Sequence, residues 1–400
     1  MDIKREFPIL NTNIIYFDNG ASTLKPKCVI DKMNECYYNY PSNAHRGDYY
    51  LSLKASAEYE STREVVREFI NANSTKEIIF TSGSTESLNQ IIYGYFMNKL
   101  NKGDEVLITK SEHASNILPW FDLEKKIGIK VNYISLNDDY TFNIDNLKNM
   151  INKNTKVVSL AEITNVIGDV RNVKEITKIC HENNIKVVID GAQSAGHIKI
   201  DVKDSDIDFL AISAHKMFGP NGVGVLYGKE ELLEEIDSIK KGGGTTISFD
   251  DPNNIVYKEL PYRLEAGTQN IPGVIGLKEA IYFIDKIGID NIYKHTTELK
   301  KYLVSKLKKL KNITIYNENV EGFTVVFNVD GVFAQDTAIY LDKYNICVRS
   351  GDHCDKKLSD EIKIKNTVRV SLYYYNTKEE VDKLVEVLDN DKLLEESLGV

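Results

Sequence analysis

Val187–Gly196 reads VVIDGAQSAG and Asp208–Tyr227 reads DFLAISAHKMFGPNGVGVLY, and these two stretches decide the fold. Each opens on a short apolar run and closes on polar and small residues. Such runs, bounded by turn residues, predict buried strands. Working outward, Ile78–Phe80, Glu105–Ile108, Lys130–Ile134, Val157–Leu160, Val187–Ile189, Phe209–Ile212 and Val223–Tyr227 all read as strands. Helical patterns lie between them at Ser84–Leu100, Ile144–Ile151 and Val173–Asn183. Alternation of this kind predicts an α/β sheet covered on both faces. In such sheets ligands sit beyond the carboxyl ends of the strands, so the residues just after the strands carry most information.

Three strand ends carry chemistry. The first is Ile78–Ser87, IIFTSGSTES, a strand, a small-residue turn and a helix start. Free N–H groups at a helix N-terminus favour an anion, and Ser84 and Thr85 add hydroxyl donors. An ordinary Ser/Thr helix cap has the same appearance. No Gly-Lys-Ser/Thr closes the turn, so it is not a Walker A loop, and the lack of a G-x-G-x-x-G disfavours a nicotinamide site. The second is Asp190, at the end of an apolar strand, where an aspartate also serves as a cap or a metal ligand. The third is Lys216, which follows Ser213 and His215 after another buried strand. Desolvation there lowers a lysine pKa and frees the amine as a nucleophile, whereas an exposed loop lysine does neither. Together, an anion cradle, a carboxylate and a lysine match the needs of pyridoxal phosphate: donors for phosphate, a partner for the ring nitrogen, and an amine for the Schiff base.

On these residues the chain resembles a known family. SEHASNILPW, ITNVIGDV, VVIDGAQSAG, SAHKMFGPNGVGVLY and EAGTQN look like the class V aminotransferases. Within that group they most resemble the SUF-type (group II) cysteine desulfurases and selenocysteine lyases. The likeness runs from FDNGASTLKP near the start to RVSLYYYNT near the end. It implies a fold-type I pyridoxal-phosphate enzyme and a homodimer. The large mixed or parallel sheet domain would span residues 25–275, with a smaller α/β domain made of 1–24 and 276–400. By the same resemblance Lys216 is the Schiff-base lysine, Asp190 the partner of the pyridinium nitrogen, and Gln193 the donor to the phenolic oxygen. Ser84, Thr85, Ser213 and His215 hold phosphate, and Thr268 reaches the phosphate of the neighbouring subunit. His113 stacks on the ring and moves protons. Asn165, Arg369 and Arg349 receive the substrate carboxylate, a task that suits the guanidinium fork.

The discriminating residue is Cys354, in VRSGDHC, 15 residues before Arg369. The family places a sulfur-accepting cysteine here, whose thiolate attacks the sulfur of bound L-cysteine and leaves alanine and a persulfide. Arg349 and His353 are expected to lower its pKa. One departure stands out. The family commonly has two histidines before this cysteine, and this chain has Gly351-Asp352-His353. Asp352 adds negative charge beside the thiol, which raises its pKa unless Arg349 compensates. Asp355-Lys356-Lys357 also replaces a smaller, more apolar stretch. The leading expectation is a desulfurase that passes sulfur to a small acceptor protein for iron–sulfur cluster assembly. The alternatives are a selenocysteine lyase acting on L-selenocysteine, another class V lyase or transaminase, and a non-enzymatic scaffold that kept the fold.

Composition bounds the rest. At about 150 residues per domain, 400 residues allow two or three domains. Lys+Arg is 50 and Asp+Glu is 59, a formal charge of −9, which disfavours general nucleic-acid binding. Of five cysteines, Cys28, Cys36 and Cys180 fall in helical patterns and Cys347 beside an apolar run, and these four read as structural. None forms a C-x-x-C pair or a zinc-ligand cluster, so free thiols and no metal are expected. MDIKREFPIL predicts no secretory signal, and no run of 18 apolar residues predicts a membrane span, so a cytoplasmic protein is expected. Gly242–Gly244 open a polar stretch to Asn270 that reads as a hairpin or a mobile loop. After Gly276 a helical pattern runs to Leu310, with Leu299, Leu303, Leu307 and Leu310 on one face and lysines between, reading as a helix packed on a core. Strands at Ile313–Tyr316, Thr324–Asn328 and Thr367–Val370 suggest the smaller α/β unit, and the acidic last ten residues read as a frayed end.

Overall fold

The computed structural model describes residues 3–361 and 365–389, so the acidic last ten residues lie outside it. All seven strands expected in the first half form. They are Ile78–Thr81 (β1), Glu105–Thr109 (β2), Lys130–Ile134 (β3), Thr155–Ala161 (β4), Lys186–Asp190 (β5), Phe209–Ser213 (β6) and Gly224–Gly228 (β7). They make one sheet in the order β1-β7-β6-β5-β4-β2-β3. Neighbours are parallel except around β7, which runs antiparallel to both β1 and β6.

Successive side chains on a strand point to opposite faces. Phe80, Leu107, Leu160, Ile189, Leu210 and Val225 therefore enter one core, beneath the helices Lys27–Asn39, Tyr50–Phe69 and Ile271–Ile287. Ile79, Val106, Val157, Val188, Phe209 and Leu226 enter the other, beneath Ser84–Gly94 and Leu118–Ile127. Each fully buried aliphatic side chain contributes about 1.5–3 kcal/mol, which makes both faces intolerant of charge.

Helix lengths differ from the sequence reading where glycine intervenes. The expected Ser84–Leu100 helix stops at Gly94 and passes into the 3-10 turn Phe96–Asn98. The pattern after Gly276 is two helices, Ile271–Ile287 and Ile289–Leu307. Asn270 starts the first, its side chain accepting from the Gly273 N–H. Gly288, at φ +87°, separates them in a conformation that side chains resist. Leu299, Leu303 and Leu307 are buried as expected. Leu310 follows the helix end and packs on the same core. The Gly242–Asn270 stretch contains a hairpin, Thr246–Phe249 with Ile255–Tyr257.

A second, antiparallel sheet has the order Ile313–Ile315, Thr324–Val329, Thr367–Ser371, Arg349–Gly351. The last strand sets Arg349 directly opposite Arg369. The N-terminal segment joins this unit: Ile15–Tyr16 pairs parallel with Ile346–Cys347, and Phe17 is buried in its core. Among the described residues, no helix is long and apolar enough to cross a membrane.

A buried polar network ties the strand ends together. Arg171 Nη1 donates to Glu112 Oε1 at 2.6 Å and to the Ala161 carbonyl at 3.1 Å. Its Nη2 donates to Thr109 and Ser111, and its Nε to Asp169. Glu112 Oε2 accepts from the Ala161 N–H at 2.6 Å and from Asn116 Nδ2 at 2.9 Å. Both side chains of the central pair are 0% exposed. Replacing only Arg171 strands a buried carboxylate. Arg171→Met should therefore lower unfolding free energy by about 3–5 kcal/mol in denaturant titration, with part of the loss recovered when Glu112→Gln is added. A second test concerns Gly224. A Cβ there would lie 2.4 Å from Gly83 Cα, a backbone atom that cannot swing aside. Gly224→Ala should lower thermal stability by about 1–3 kcal/mol and displace the turn after β1.

Candidate active site

A cavity of about 300 Å³ opens beyond the carboxyl ends of β1, β4, β5 and β6. Its floor, walls and rim come from different elements, and each is built locally.

The anion cradle follows β1. Gly83 precedes the helix that starts at Ser84, so the first turn, whose N–H groups have no partner within the helix, lines the cavity with Ser84 and Thr85. The Ser84 N–H donates to Ser213 Oγ at 2.9 Å, and Ser213 Oγ donates to Ser84 Oγ at 2.8 Å. Thr85 Oγ1 pairs with Ser115 Oγ at 2.8 Å. His215 completes this end. Burial, then Lys216 and Lys25, push its imidazole down to about 4. The cradle is thus made of neutral donors and backbone N–H groups.

Asp190 ends β5 and accepts from the Ala192 N–H at 3.0 Å. Burial pushes its carboxyl up to about 6, with that N–H and Lys216 pulling the other way. A cationic partner in the cavity would further favour its charged form. Lys216, in the turn after β6, is pushed down to about 8 by desolvation, with Asp190 opposing. Gln193 donates from Nε2 to the Gly20 carbonyl at 2.8 Å and leaves Oε1 buried without a partner.

Arg369 is 2% exposed and meets a mixed set of partners. Its Nη1 donates to the Asn165 carbonyl at 2.7 Å and its Nη2 to Asp18 Oδ1 at 3.3 Å, while Nε has no partner. A buried guanidinium with an unmatched N–H favours an added anion. Asn165 Nδ2 donates to the His353 carbonyl at 2.8 Å, and its Oδ1 is also unmatched. Arg349 lines the same side, 3.9 Å from Asp18 Oδ2.

His113 and Cys354 stand over the cavity. His113 Nδ1 accepts from the Ser115 N–H at 3.1 Å. Burial, then Lys216, Arg369 and Arg349, push His113 down to about 4, so its ring is neutral near pH 7. Cys354 is exposed at the rim. Its carbonyl accepts from the Ala114 N–H at 3.0 Å, and its own N–H donates to Asp352 Oδ1 at 3.0 Å. His353 was expected to lend the thiol positive charge, and it does not. It is buried against Thr367, its ring pushed down to about 3 by burial, then Arg369 and Arg349.

Twelve of the thirteen expected site residues line this one cavity. The thirteenth, Thr268, lines a separate cavity of about 270 Å³ with His45, Arg46, Tyr59 and Glu265. Sequence reasoning missed Asp18 and Gly20. A Cβ on Gly20 would lie 3.1 Å from Arg369 Cζ, so the glycine makes room for the guanidinium. The signal was the FDNGAS stretch, which holds both. Glu112 and Arg171 were also missed, because a buried ion pair between distant residues leaves no mark in a single sequence.

The residues present fit pyridoxal phosphate: a neutral-donor cradle, a buried carboxyl and a desolvated lysine in one cavity, with buried polar atoms on Gln193, Asn165 and Arg369 still unmatched. Comparison with known proteins places the chain in a family. Residues 15–384 match the Aminotransferase class-V family. A probable cysteine desulfurase of Halalkalibacterium halodurans is 41% identical over 396 residues, covering 98% of this chain and 97% of that protein. A cysteine desulfurase of Haloferax volcanii is 37% identical over 409 residues, covering 97% and 95%. The apo cysteine desulfurase structure from Thermococcus onnurineus superposes with a TM-score of 0.93 at 37% identity, covering 100% of this chain and 98% of that one. The Escherichia coli cysteine desulfurase CsdA superposes at 0.92 with 32% identity, covering 99% and 98%. The chain therefore belongs to the class V aminotransferase family, alongside the cysteine desulfurases.

Proposed function

We propose that this protein is a pyridoxal-phosphate-dependent cysteine desulfurase that converts L-cysteine to L-alanine and collects the sulfur as a persulfide on Cys354. The observation that carries this reading is the position of Cys354. The one exposed cysteine lies at the rim of the cavity that holds Lys216, Asp190 and Arg369. The other four cysteines are buried or half-buried and do not line it.

Bound there, pyridoxal phosphate supplies an electron sink for the α-carbon of the substrate. The residues of the chain do the rest. The cradle of Ser84, Thr85, Ser213 and His215 would hold the phosphate, Asp190 would face the ring nitrogen, and Gln193 and His113 would flank the ring. Arg369, with Asn165 and Arg349 beside it, would take the substrate carboxylate and so orient its side chain toward the rim. Lys216 Nζ, at about 8, can hold or release a proton close to neutral pH. The Cys354 thiolate attacks the substrate sulfur. An S–S bond forms, the C–S bond breaks, and its electron pair stays with the three-carbon fragment, which takes up a proton and leaves as alanine.

The wider reading follows from the same resemblance. The likeness to the SUF-type branch supports a small acceptor protein and iron–sulfur cluster assembly as the destination of the sulfur. The placement of Thr268 away from the cavity of its own chain is consistent with a homodimer in which it serves a neighbouring site. The pairing of residues 15–16 with 346–347 supports a small domain of 1–24 plus 276–400, beside a large domain of 25–275. Residence in the cytoplasm fits a free, exposed thiol in a reducing compartment.

Two experiments test this reading. Cys354→Ser should abolish sulfide release from L-cysteine in the presence of a reductant, and alanine formation equal to wild type would overturn the persulfide step. In cofactor-free protein, an amine-selective reagent should label Lys216 half-maximally near pH 8, ahead of the surface lysines. Because Asp190 holds the Lys216 value up, Asp190→Asn should move that midpoint lower.

A further inference from the structure

The residue after the proposed nucleophile sits unusually for an acid in a surface turn. Asp355 is 1% exposed. Its N–H donates to the Asp352 carbonyl at 2.9 Å. Its Oδ1 accepts from the Leu358 N–H at 3.1 Å, which starts the helix Lys356–Glu361. Its Oδ2 is buried with no hydrogen-bond partner. The charged groups that act on it most strongly are Glu112 and Arg171 of the buried network and Asp352 of its own turn. Leu358, one helical turn on, packs into an apolar cluster with Val166, Ile167 and Val326. The rest of the turn is fastened to the site, through Cys354 to the Ala114 N–H and through His353 to Asn165 and Thr367.

An ionised carboxylate with a bare, enclosed oxygen next to a second carboxylate is costly, and a protonated one costs much less. Burial first, then Glu112 and Asp352, raise the Asp355 carboxyl well above the usual range, against the pull of the Leu358 N–H and Arg171. We propose that Asp355 is a positioning residue for Cys354. Its protonated carboxyl seats the 352–355 turn on the Glu112–Arg171 layer, and its ionisation unseats the turn and turns Cys354 outward. The role of Cys354 itself rests on the desulfurase reading, but the seating of the turn does not. The seated turn binds the proton more tightly than the free turn. Seating is therefore strongest at low pH and weakens as pH rises from the ordinary carboxylate range toward the raised value of Asp355.

The test is the alkylation of Cys354 by iodoacetamide in the holoenzyme, followed across pH by mass spectrometry of the Cys354 peptide. This readout needs no turnover, so it fails or succeeds independently of the Cys354→Ser activity test. In wild type the rate should rise in two steps, one from unseating and one from thiol ionisation. Asp355→Asn keeps the shape without the titration and should show the thiol step alone, with slower alkylation than wild type at the alkaline end. Asp355→Ala, which removes both cap and carboxyl, should react about tenfold faster than wild type at the acidic end, as expected when a seated population is released. An Asp355→Asn profile that superimposes on wild type would overturn the proposal. Should that variant not fold, acid-end reactivity of Asp355→Ala equal to wild type would overturn it as well.

Discussion

The site depends on one buried ion pair. Arg171 and Glu112 belong to segments 59 residues apart, and neither touches the cavity. Between them they hold the end of β4 by its N–H and carbonyl, the end of β2 through Thr109, and the turn that carries His113 through Asn116. Arg171 also follows the loop that presents Asn165, and Asp169 in that loop is its second carboxylate partner. A fully buried pair is a weak source of net stability, because desolvation offsets much of the attraction. What such a pair does well is to fix geometry. Any displacement of β2 against β4 leaves one of the two charges unmatched, so the walls of the cavity cannot slide apart gradually.

The cavity achieves its chemistry by removing water more than by adding charge. Burial is the first cause at Asp190, Lys216, His113 and His215 alike, and it pushes the acid up and the bases down. The result is a lysine that can be neutral near pH 8 and histidines that are neutral at pH 7. Ion pairs gather instead on one side of the cavity, where Arg369 and Arg349 both lie within 4 Å of the Asp18 carboxylate. Helix N–H groups and a buried guanidinium such as that of Arg369 suit anionic groups without requiring a basic surface, even on a net acidic chain.

Much of this was readable from the chain alone, and the reasons are physical. Parallel strands buried on both faces are continuous apolar runs, so β1 to β7 stand out, and the rule that ligands collect at their carboxyl ends directed attention to Ser84, Asp190, Ser213 and Lys216. Cys354 stood out through the resemblance of its surroundings, and it lies exposed at the rim of the cavity. Three things were not legible. The break at Gly288 is hidden because apolar periodicity continues on both sides of it. The edge strand Arg349–Gly351 is short, and its apolar content is nil, so only its pairing with Thr367–Ser371 defines it. The proton state of His353 depends on burial, and the sequence shows a histidine beside a cysteine without showing that the ring turns inward to Thr367.

Two adjacent residues of the 352–355 turn, His353 and Cys354, both adopt left-handed backbone conformations, at φ +55° and +61°. Glycine alone takes that shape freely, and other residues lose about 1 kcal/mol or more there. The backbone at the tip of this turn thus asks for one kind of residue and the chemistry asks for another. Sequence drift toward glycine at these positions would relax the fold and silence the thiol in the same stroke. At this exposed thiol on the cavity rim, conformational ease and a thiol side chain pull in opposite directions.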